Sequence, residues 1–357
     1  MPLPMPDKKI LDLVQLGIVI PPLPLALKGR RNIDEKYQRA LIRYYCAAGA
    51  GGIAVGVHTT QFEIRDPGID LYEPLLKFAC DAIRDEERKL ARPIVKIAGV
   101  CGAADQALRE ARYARSLGYD AALLSLSALK TASDDELIRH CKSLSRIIPL
   151  FGFYLQPAVG GRILPYSFWR KFVEIPNVIG IKIAPFNRYQ TLDVVRAVAL
   201  AGRERELTLY TGNDDNIIMD LITPFPVHTS EGRKILRIKG GLLGQWSVWT
   251  KRAALLLEEI HDMMNRNEDA PLHLLARHAA LTDANAVIFD AAHNFAGCIP
   301  GIHEILRRQG LLRNIKCLDA RAGLSPGQAR EIDRILRDYP FLTDDDFVEE
   351  HLHEWLY

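Results

Sequence analysis

Residues 177–185 read NVIGIKIAP, an aliphatic run that carries a single lysine, Lys182, near its centre. A short apolar run of this kind is typical of a buried strand. Because side chains alternate along a strand, Gly180, Lys182 and Ala184 share one face, and the three isoleucines of the run share the other. We therefore expect the isoleucines to pack against helices. The lysine is expected to point inward, between two small residues that leave room for a small molecule.

Short aliphatic runs alternate with helical segments over roughly the first 250 residues. Strand and helix repeat eight times, which predicts a parallel sheet with helical crossovers. The number of repeats favours an α/β fold, a closed (β/α)8 TIM barrel, with a doubly wound open sheet as the structural alternative. Residues 224–241 are long for a connector and form a candidate insertion. The predicted strands cover residues 16–20, 51–57, 93–100, 120–126, 149–155, 177–183, 206–212 and a stretch within 235–248.

The pattern changes at Thr250, after which only amphipathic helical segments follow. We therefore predict two regions: a barrel over residues 1–250 that carries the active site, and a C-terminal helical region over residues 251–357. Ser325 is predicted to cap one of the late helices, with Pro326 in the first turn of that helix.

The composition describes a large, nearly neutral chain. It has 357 residues, 48% of them hydrophobic, and 46 basic against 44 acidic side chains give a net charge of +2. This balance gives no reason to expect nucleic acid or an anionic membrane as a partner. The six cysteines are far apart and form no CxxC pair, which is typical of reduced thiols in the cytoplasm. We therefore expect a cytoplasmic protein with no nucleic-acid partner, no membrane partner and no cofactor.

The N-terminal stretch 8–27 begins with two lysines and continues with apolar residues, as signal peptides do. Asp12 and Gln15 interrupt it, several prolines break it, and it is too short to span a bilayer. We interpret it as a strand followed by a proline-rich loop.

Polar side chains gather at the strand ends where a (β/α)8 barrel places its chemistry. On strand 149–155 the alternation gives Tyr154 the same face as Gly152 and Gln156, which we predict to be the inward face, and gives Phe153 the other. The polar residues are expected to face one mouth: His58, Thr59 and Thr60 after the second strand, Tyr154 on the fifth, Lys182 on the sixth, Gly212 and Asn213 after the seventh, and Gln245 after the last.

A lysine enclosed by apolar groups loses hydration, which disfavours its charged form and lowers its pKa. The neutral amine can attack a carbonyl carbon and form a Schiff base, whose protonated form withdraws electrons from a neighbouring carbon–carbon bond. A tyrosine hydroxyl can move the protons that this chemistry needs, and the Thr59–Thr60 loop can hold a carboxylate. Each residue alone also has an ordinary interpretation: Lys182 as a strand-end lysine that reaches solvent, and Tyr154 as a core tyrosine.

The stretch FYLQP at 153–157, followed by GGRILPYSFWRKFVEIPNVIGIKIAP at 160–185, resembles the core of the dihydrodipicolinate synthase / N-acetylneuraminate lyase family. Members of that family carry a Y-N-x-P…G…L…NI-x-G-I-K arrangement. The resemblance implies a (β/α)8 barrel with C-terminal helices that assembles as a homo-oligomer, usually a tetramer, with a dimer as the other expectation. It also implies class I aldolase chemistry, a lyase activity on pyruvate or a related 2-oxo acid.

Carried over residue by residue, the resemblance makes Lys182 the Schiff-base lysine and Tyr154 the proton-relay tyrosine. The stretch HTTQF stands where the family has GTTGE, so Thr59 and Thr60 resemble the threonines that contact the substrate carboxylate and relay protons. The predicted site therefore has three catalytic residues and a set of substrate-binding residues. These are Lys182, Tyr154 and Thr60 as catalytic residues, and Thr59, Thr60, His58, Gly212, Asn213 and Gln245 as substrate-binding residues.

The sequence departs from the family pattern around the position of a second substrate. His58 replaces a glycine, and Gln61 and Phe62 replace Gly-Glu. The stretch SLSALK at 125–130 has no tyrosine where the synthases have a pair, and Val159 stands where they place an arginine. The imine-forming residues are kept while the others change. We therefore expect an aldolase, hydratase or dehydratase acting on another oxo acid or aldehyde.

Two other functions remain open. A Mg²⁺-dependent barrel enzyme could use Lys182 as a general base, with a metal held by oxygen ligands. No acidic residue is firmly placed at the ends of three strands, as such a site would need. A barrel that binds a ligand without catalysis is the second alternative. The acids and the histidine that could reach the mouth are Asp214, Asp215, Glu63, Asp66 and His58.

Overall fold

A computed structural model describes residues 2–29 and 31–357, and the contacts within the chain divide it into two compact units. The first unit runs up to Ile18 and continues over Val95–Leu242. The second unit consists of Val19–Ile94 and Leu243–Tyr357. The division into residues 1–250 and 251–357 stays a prediction from the sequence.

The strands are short, and most of those with aliphatic sequences are buried. They are β1 Leu27–Gly29, β2 Asn32–Ile33, β3 Gly52–Val55, β4 Val95–Val100, β5 Ala121–Leu124, β6 Leu150–Leu155, β7 Val178–Ala184, β8 Thr208–Thr211, β9 Phe225–Thr229, β10 Gly232–Leu236 and β11 Ile238–Gly241.

The helices are α1 Lys8–Leu16, α2 Glu35–Ala48, α3 Tyr72–Leu90, α4 Ala104–Leu117, α5 Asp134–Ser145, α6 Tyr166–Phe172, α7 Arg188–Leu200, α8 Ile217–Ile222, α9 Thr250–Asn265, α10 Leu272–Ile288, α11 Cys298–Arg308, α12 Gln328–Asp338 and α13 Asp345–Leu356. Helices and strands alternate from α2 to α8, three consecutive strands follow, and after β11 the helices follow one another.

Six strands of the first unit form a parallel sheet in the order β11–β8–β7–β6–β5–β4. One helix follows each of β4 to β8, so the predicted strand–helix order is confirmed for this unit. Every residue of β4 to β8 is buried. Parallel strands are covered on both faces, which explains why their sequences are continuous aliphatic runs rather than alternating ones.

The segment before this sheet differs from the prediction, because α1 is a helix and the expected strand over 16–20 does not form. Ile10 and Val14, four residues apart, are the buried side chains of α1 and give it one apolar face. Gly17 ends the helix with a φ of 89°, and a Cβ there would lie 2.2 Å from the Lys239 carbonyl oxygen. The Val14 carbonyl accepts a hydrogen bond from the Tyr210 hydroxyl at 2.8 Å, which fixes α1 to the sheet.

The candidate insertion at 224–241 is a β-hairpin that leads into the last strand of the sheet. Strands β9 and β10 pair antiparallel, with Thr229 opposite Gly232 at the turn. Thr229 donates from its hydroxyl to the Gly232 carbonyl, which closes the turn. Lys234 of β10 forms an ion pair with Glu204 at 2.9 Å.

In the second unit, the chain after Ile18 runs alongside β3 without forming a regular strand. The Leu23 N–H donates to the Ala54 carbonyl at 2.8 Å, and the Ala54 N–H donates to the Pro21 carbonyl at 3.1 Å. Pro22 makes only an isolated bridge with Ala54. Prolines at 21, 22 and 24 lack N–H groups, so a continuous ladder cannot form. The predicted strand is thus replaced by an extended, partly paired segment.

The late helices of the second unit meet at one buried carboxylate. Asp344, 2% exposed, accepts hydrogen bonds from the Tyr44 hydroxyl at 2.7 Å, the Lys251 N–H at 3.0 Å and the Gln309 amide at 2.8 Å. Burial raises the pKa of this carboxyl group above its usual value, although the hydrogen bonds oppose that effect. Its donors come from α2, α9 and the end of α11, so one side chain connects three helices.

One expectation about the C-terminal region is wrong. Helix α12 begins at Gln328 with Gly327 at its N-cap, and the Ser325 hydroxyl donates instead to Asp290. The last residues form α13, whose Trp355 packs against Tyr44 with ring centroids 5.4 Å apart. No helix within the described residues is both long and apolar enough to cross a membrane.

Candidate active site

Lys182 lies in β7 of the first unit, and only 9% of its surface is exposed. Loss of hydration on burial lowers the pKa of its amine to about 8, and the nearby charge of Asp214 opposes part of that change. Among the described residues no carboxylate forms an ion pair with it. At this pKa roughly one amine in ten is uncharged at pH 7, against fewer than one in a thousand for an ordinary lysine. Burial therefore keeps a substantial fraction of this amine uncharged near neutral pH.

Two neighbours define the surroundings of the Lys182 side chain. A Cβ added to Gly212 would lie 2.6 Å from Lys182 Cε and 2.8 Å from the Ala184 Cβ, so only glycine fits beside the lysine. The amine lies 4.6 Å from the centre of the Phe153 ring. A ring face attracts the charged amine, yet it offers no hydrogen bond and excludes water.

The predicted face of Tyr154 is wrong. In the sheet Phe153 pairs with Lys182, and Tyr154 pairs with Ile183, so the tyrosine shares the face of the isoleucine. Its ring packs against Trp169 of α6 at 5.2 Å. Its hydroxyl accepts a hydrogen bond from the Leu164 N–H at 3.2 Å, and burial raises its pKa to about 12. The structure therefore places Tyr154 between the sheet and the helices.

The register between β6 and β7 explains this difference. Leu150 pairs with Val178, but Phe151 pairs with Gly180, so Ile179 is an extra residue in β7. The face that includes Lys182 is consequently lined by Phe151 and Phe153 of β6. A Cβ on Gly180 would lie 2.5 Å from the Phe151 ring, so this ring occupies the space that we expected to be open.

Gly212 and Asn213 follow β8 as predicted, but their tasks differ. Gly212 gives Lys182 its room. The amide nitrogen of Asn213 donates to Asp220 at 2.8 Å, and its amide oxygen accepts the Phe186 N–H at 2.9 Å. Because both ends of this fully buried side chain are used, Asn213 holds the loop after β7 rather than presenting its amide to a substrate.

Asp220 of α8 is a residue that sequence reasoning missed. It is 1% exposed and accepts hydrogen bonds from both strand-end loops. Phe186, held by the Asp220–Asn213 pair, has a φ of 53°, a rare backbone conformation for a large residue. The sequence signal that could have identified Asp220 was a single acid within the apolar run IIMDLI at 217–222. The donors to Asp220 are the Thr211 hydroxyl at 2.6 Å, the Asn213 amide at 2.8 Å, the Asn216 amide at 2.7 Å and the Arg188 guanidinium at 3.1 Å.

The predicted threonine pair lies in the second unit, in a 3-10 turn over His58–Thr60. The Thr60 hydroxyl donates to the Leu23 carbonyl at 2.8 Å and accepts the Gly56 N–H at 3.1 Å, so its proton is committed to the fold. Thr59 is 4% exposed, and its hydroxyl makes no hydrogen bond within residues 2–29 and 31–357. Of the two hydroxyls, that of Thr59 is the one free to meet a ligand.

The remaining predicted residues also lie in the second unit. The His58 ring lies 6.0 Å from the ring of Phe62. Gln61, whose φ is 71°, accepts the Leu318 N–H on its side-chain oxygen at 2.7 Å, which anchors the turn. Gln245 is 3% exposed and lines a cavity beside Trp246.

The acids considered for a Mg²⁺ site do not form one cluster. In the described part of the chain, no group of three or more His, Cys, Asp or Glu side chains could hold a metal ion. Asp215 pairs instead with Arg188 at 3.5 Å. The metal alternative therefore has no observation in its favour.

Sequence comparisons relate part of the chain to curated proteins, and no family model matches it. A 4-hydroxy-tetrahydrodipicolinate synthase from Herminiimonas arsenicoxydans is 26% identical over 204 residues, which are 57% of this chain and 64% of that protein. The corresponding synthase from Alkaliphilus oremlandii is 27% identical over 39% of this chain and 44% of its own length. The chain thus spans about half to two thirds of the curated relatives it matches.

Structural comparison covers almost the whole chain. A dihydrodipicolinate synthase from Aquifex aeolicus superposes with a TM-score of 0.72 and 17% identity, over 92% of this chain and 99% of that one. An N-acetylneuraminate lyase from Fusobacterium nucleatum, solved with pyruvate, gives a TM-score of 0.69 and 16% identity, over 91% and 98%. At such identities the likeness concerns the fold, and it confirms the predicted barrel with C-terminal helices.

The fold is that of a (β/α)8 barrel with C-terminal helices, and one of its strands carries a buried lysine. Among barrels of this fold, the sequence matches given above are to 4-hydroxy-tetrahydrodipicolinate synthases. The chain resembles the dihydrodipicolinate synthase / N-acetylneuraminate lyase proteins in fold and, over part of its length, in sequence.

Proposed function

We propose that this protein is a Schiff-base-forming lyase or aldolase that acts on pyruvate or another small 2-oxo acid or aldehyde. The observation that carries the proposal is Lys182, a buried strand lysine with a pKa lowered to about 8 and no carboxylate within ion-pair distance among the described residues. The resemblance to the dihydrodipicolinate synthase / N-acetylneuraminate lyase family supports the same chemistry.

In the proposed reaction, the lone pair of Lys182 Nζ attacks the carbonyl carbon, and the carbonyl oxygen takes up a proton. The nitrogen, which became charged on attack, loses one proton, a second proton converts the oxygen to water, and this water leaves as the carbon–nitrogen double bond forms. The protonated imine then accepts the electron pair of a bond at the adjacent carbon, so that bond can break or form. The charge of Asp214, which favours the protonated amine, would favour the protonated imine for the same reason.

The proton carrier differs from our first expectation. The Tyr154 hydroxyl is held by the Leu164 N–H, and the Thr60 hydroxyl by the Leu23 carbonyl. For Thr59, whose hydroxyl has no hydrogen-bond partner in the described parts of the chain, we keep the contact with the substrate carboxylate that the resemblance implies. The resemblance supports this role because Thr59 stands at the first threonine of the family motif.

The side chains around the Lys182 amine are apolar, and this favours a substrate with an apolar group near its carbonyl carbon. Phe153 lies against the amine, and Phe151 fills the space at Gly180. We therefore infer a 2-oxo acid or aldehyde with a small apolar substituent. A cytoplasmic homo-oligomer, tetrameric or dimeric, is part of the proposal because the family implies it.

The proposal is tested by reductive trapping. The protein is incubated with pyruvate and sodium borohydride, digested, and the peptides are weighed by mass spectrometry. The peptide with Lys182 is expected to gain the mass of pyruvic acid less one oxygen atom. Lys96 provides an internal control, because it is also buried in a strand but has Asp120 as its ion-pair partner at 3.8 Å.

Absence of the mass increment on Lys182 with pyruvate, 2-oxobutyrate and glyoxylate would overturn the proposed function. An equal increment on the Lys96 peptide would also count against it, because the trapping would then not depend on the unpaired environment of Lys182. Lys182→Met should abolish the increment while leaving the circular dichroism spectrum unchanged.

A further inference from the structure

One row of residues across the sheet of the first unit faces the helices. Gly152 of β6 pairs with Leu124 of β5 on one side and with Ile181 of β7 on the other. A Cβ added to Gly152 would lie 2.7 Å from the ring of Phe172 in α6. This row therefore points towards the helices. Because side chains alternate along a strand, the residues that follow in each strand point to the other side of the sheet.

The row that follows contains Ser125, Phe153 and Lys182. Phe153 pairs with Lys182, and the Ser125 N–H donates to the Val100 carbonyl at 2.9 Å, which extends the pairing of β5 with β4 by one residue. Adjacent strands are about 4.8 Å apart, so about 10 Å separates the backbones of Ser125 and Lys182. The Lys182 amine lies 4.6 Å from the ring of Phe153, the residue between them. The lysine side chain and a bound 2-oxo acid together can bridge this distance.

Ser125 begins a chain of two hydroxyl groups. It is 4% exposed, and its hydroxyl donates to the Ser127 hydroxyl at 2.9 Å. The Ser127 N–H donates back to Ser125 Oγ at 3.4 Å, which holds the two residues together across the turn. Ser127 is half-buried, and its own hydroxyl proton has no acceptor within residues 2–29 and 31–357. The chain therefore runs from the face of the sheet that carries Lys182 to a proton that no other group holds.

Other hydroxyl groups that could move protons are committed elsewhere. Tyr210 of β8 pairs with Lys182 and shares its row, but its hydroxyl donates to the Val14 carbonyl at 2.8 Å. Tyr154 lies on the helix side of β6, and Thr60 donates its proton to a backbone carbonyl. Among these hydroxyl groups, those of the serine pair share the face of Lys182 and keep a proton available.

We propose that Ser125 and Ser127 form the proton relay of the reaction at Lys182. This assignment rests on the proposed function and supplies the proton carrier that the reaction needs. A proton leaves the carbon next to the imine carbon and moves to Ser125 Oγ. The electron pair of that carbon–hydrogen bond forms the double bond of an enamine, and the electron pair of the carbon–nitrogen double bond passes to nitrogen. Ser125 gives its own proton to Ser127, and Ser127 gives its proton to water. The same steps in reverse protonate the enamine.

The relay is tested by hydrogen exchange with the full chain. Pyruvate, or 2-oxobutyrate if only that acid is trapped, is incubated with the protein in deuterium oxide. Proton NMR measures the loss of the signal from the carbon next to the carbonyl. Ser125→Ala should slow this exchange at least tenfold, since a positioned acid–base group contributes a factor of roughly 10² to 10⁴. Ser127→Ala should slow it at least threefold, and Ser127→Thr, which keeps a hydroxyl, should stay within twofold of the unmodified protein.

Ser145→Ala is the matched control. Ser145 is a buried serine of the same unit, 3% exposed, but its hydroxyl donates to the Lys142 carbonyl of its own helix at 2.9 Å. Its loss should leave the exchange rate unchanged. The final extent of borohydride trapping at Lys182 should be the same in all these variants, because the relay acts on the carbon next to the imine and not on the amine.

The two measurements separate the relay from the reaction on which it rests. Absence of trapping in the unmodified protein would overturn the proposed function. Trapping without exchange in that protein, or equal exchange in Ser125→Ala, would overturn the relay and leave the proposed function standing. Loss of both trapping and exchange in Ser125→Ala would place this serine in imine formation or folding and would also overturn the relay. If Ser125→Ala does not fold, unchanged exchange in Ser127→Ala is the overturning result.

Discussion

Lys96 and Lys182 are both buried in strands of the same parallel sheet, and their surroundings differ in one respect. The Lys96 amine lies 3.8 Å from the Asp120 carboxylate, while the Lys182 amine faces a phenyl ring at 4.6 Å. A buried amine with a carboxylate beside it keeps its charge, and one without a carboxylate tends to lose its proton. Burial alone therefore does not distinguish the two lysines; the group that faces the amine does.

The largest expected effect concerns stability. The Lys182 pKa is about 8 in the folded chain and 10.5 in an ordinary environment, so the charged amine costs the fold on the order of 3 kcal/mol below pH 8. Lys182→Met should therefore raise the free energy of unfolding at pH 7 by up to about that amount. Lys96→Met, which removes the ion pair of this buried amine with Asp120, should lower it. Urea denaturation of the three proteins measures both changes.

The pH dependence of this effect follows from its sign. Between pH 8 and 10.5 the unfolded chain binds more protons at this lysine than the folded chain does, so the stability of the unmodified protein rises with pH. The stability advantage of Lys182→Met, its higher free energy of unfolding than that of the unmodified protein, should therefore be complete below pH 8. It should disappear towards pH 10.5. An advantage that stays constant over this range would contradict the buried, desolvated amine.

The second prediction concerns the room beside Lys182. Gly212→Ala places a Cβ 2.6 Å from Lys182 Cε, which forces the side chain from its position. The rate of pyruvate trapping should fall by a factor on the order of 30, since small displacements of a reacting group reduce rates strongly. Gly323→Ala is the control, because a Cβ there meets nothing within 4 Å. Equal trapping rates in the two variants would mean that Gly212 does not set the position of the amine.

The third prediction concerns the rate of imine formation against pH. Only the uncharged amine attacks, so the trapping rate should rise about tenfold from pH 7 to pH 9 and level off above the Lys182 pKa of about 8. Single-turnover trapping at saturating pyruvate measures this profile. A rate that continues to rise to pH 10.5 would show an amine with an ordinary pKa.

The smallest expected effect concerns Tyr154. Tyr154→Phe removes a hydroxyl that accepts the Leu164 N–H, so it should lower stability by about 1 kcal/mol. The trapping rate should change less than about threefold, since the ring lies against Trp169 and not on the face of Lys182. A loss of a hundredfold or more would restore Tyr154 to the proton relay and contradict its placement between sheet and helix.

The order of strands and helices could be predicted because periodicity is a local property. The runs at 93–100, 120–126, 149–155, 177–183 and 206–212 all form strands near the expected bounds. The run at 16–20 does not, because neighbouring prolines remove the donors of a ladder. Alternation also gave Lys182 and Ala184 one face, and the closeness of both to Gly212 confirms that prediction.

The faces of β6 could not be predicted in the same way. Both faces of this strand are apolar, so its sequence does not say which one points inward. The pairing with β7 includes the extra residue Ile179, and this register places Phe153, not Tyr154, opposite Lys182. A one-residue change of register exchanges the two faces of a strand, which is why the tyrosine was assigned to the wrong side.

The sequence by itself determined the class of fold and the lysine, because a long aliphatic repeat and a charge within it are visible along the chain. Only the tertiary structure decided what lies around that charge: the phenyl ring of Phe153, the space at Gly212 and the carboxylate of Asp220 that orders the neighbouring loops. These partners come from different strands and helices. Their meeting depends on register and packing, which no local pattern of residues records.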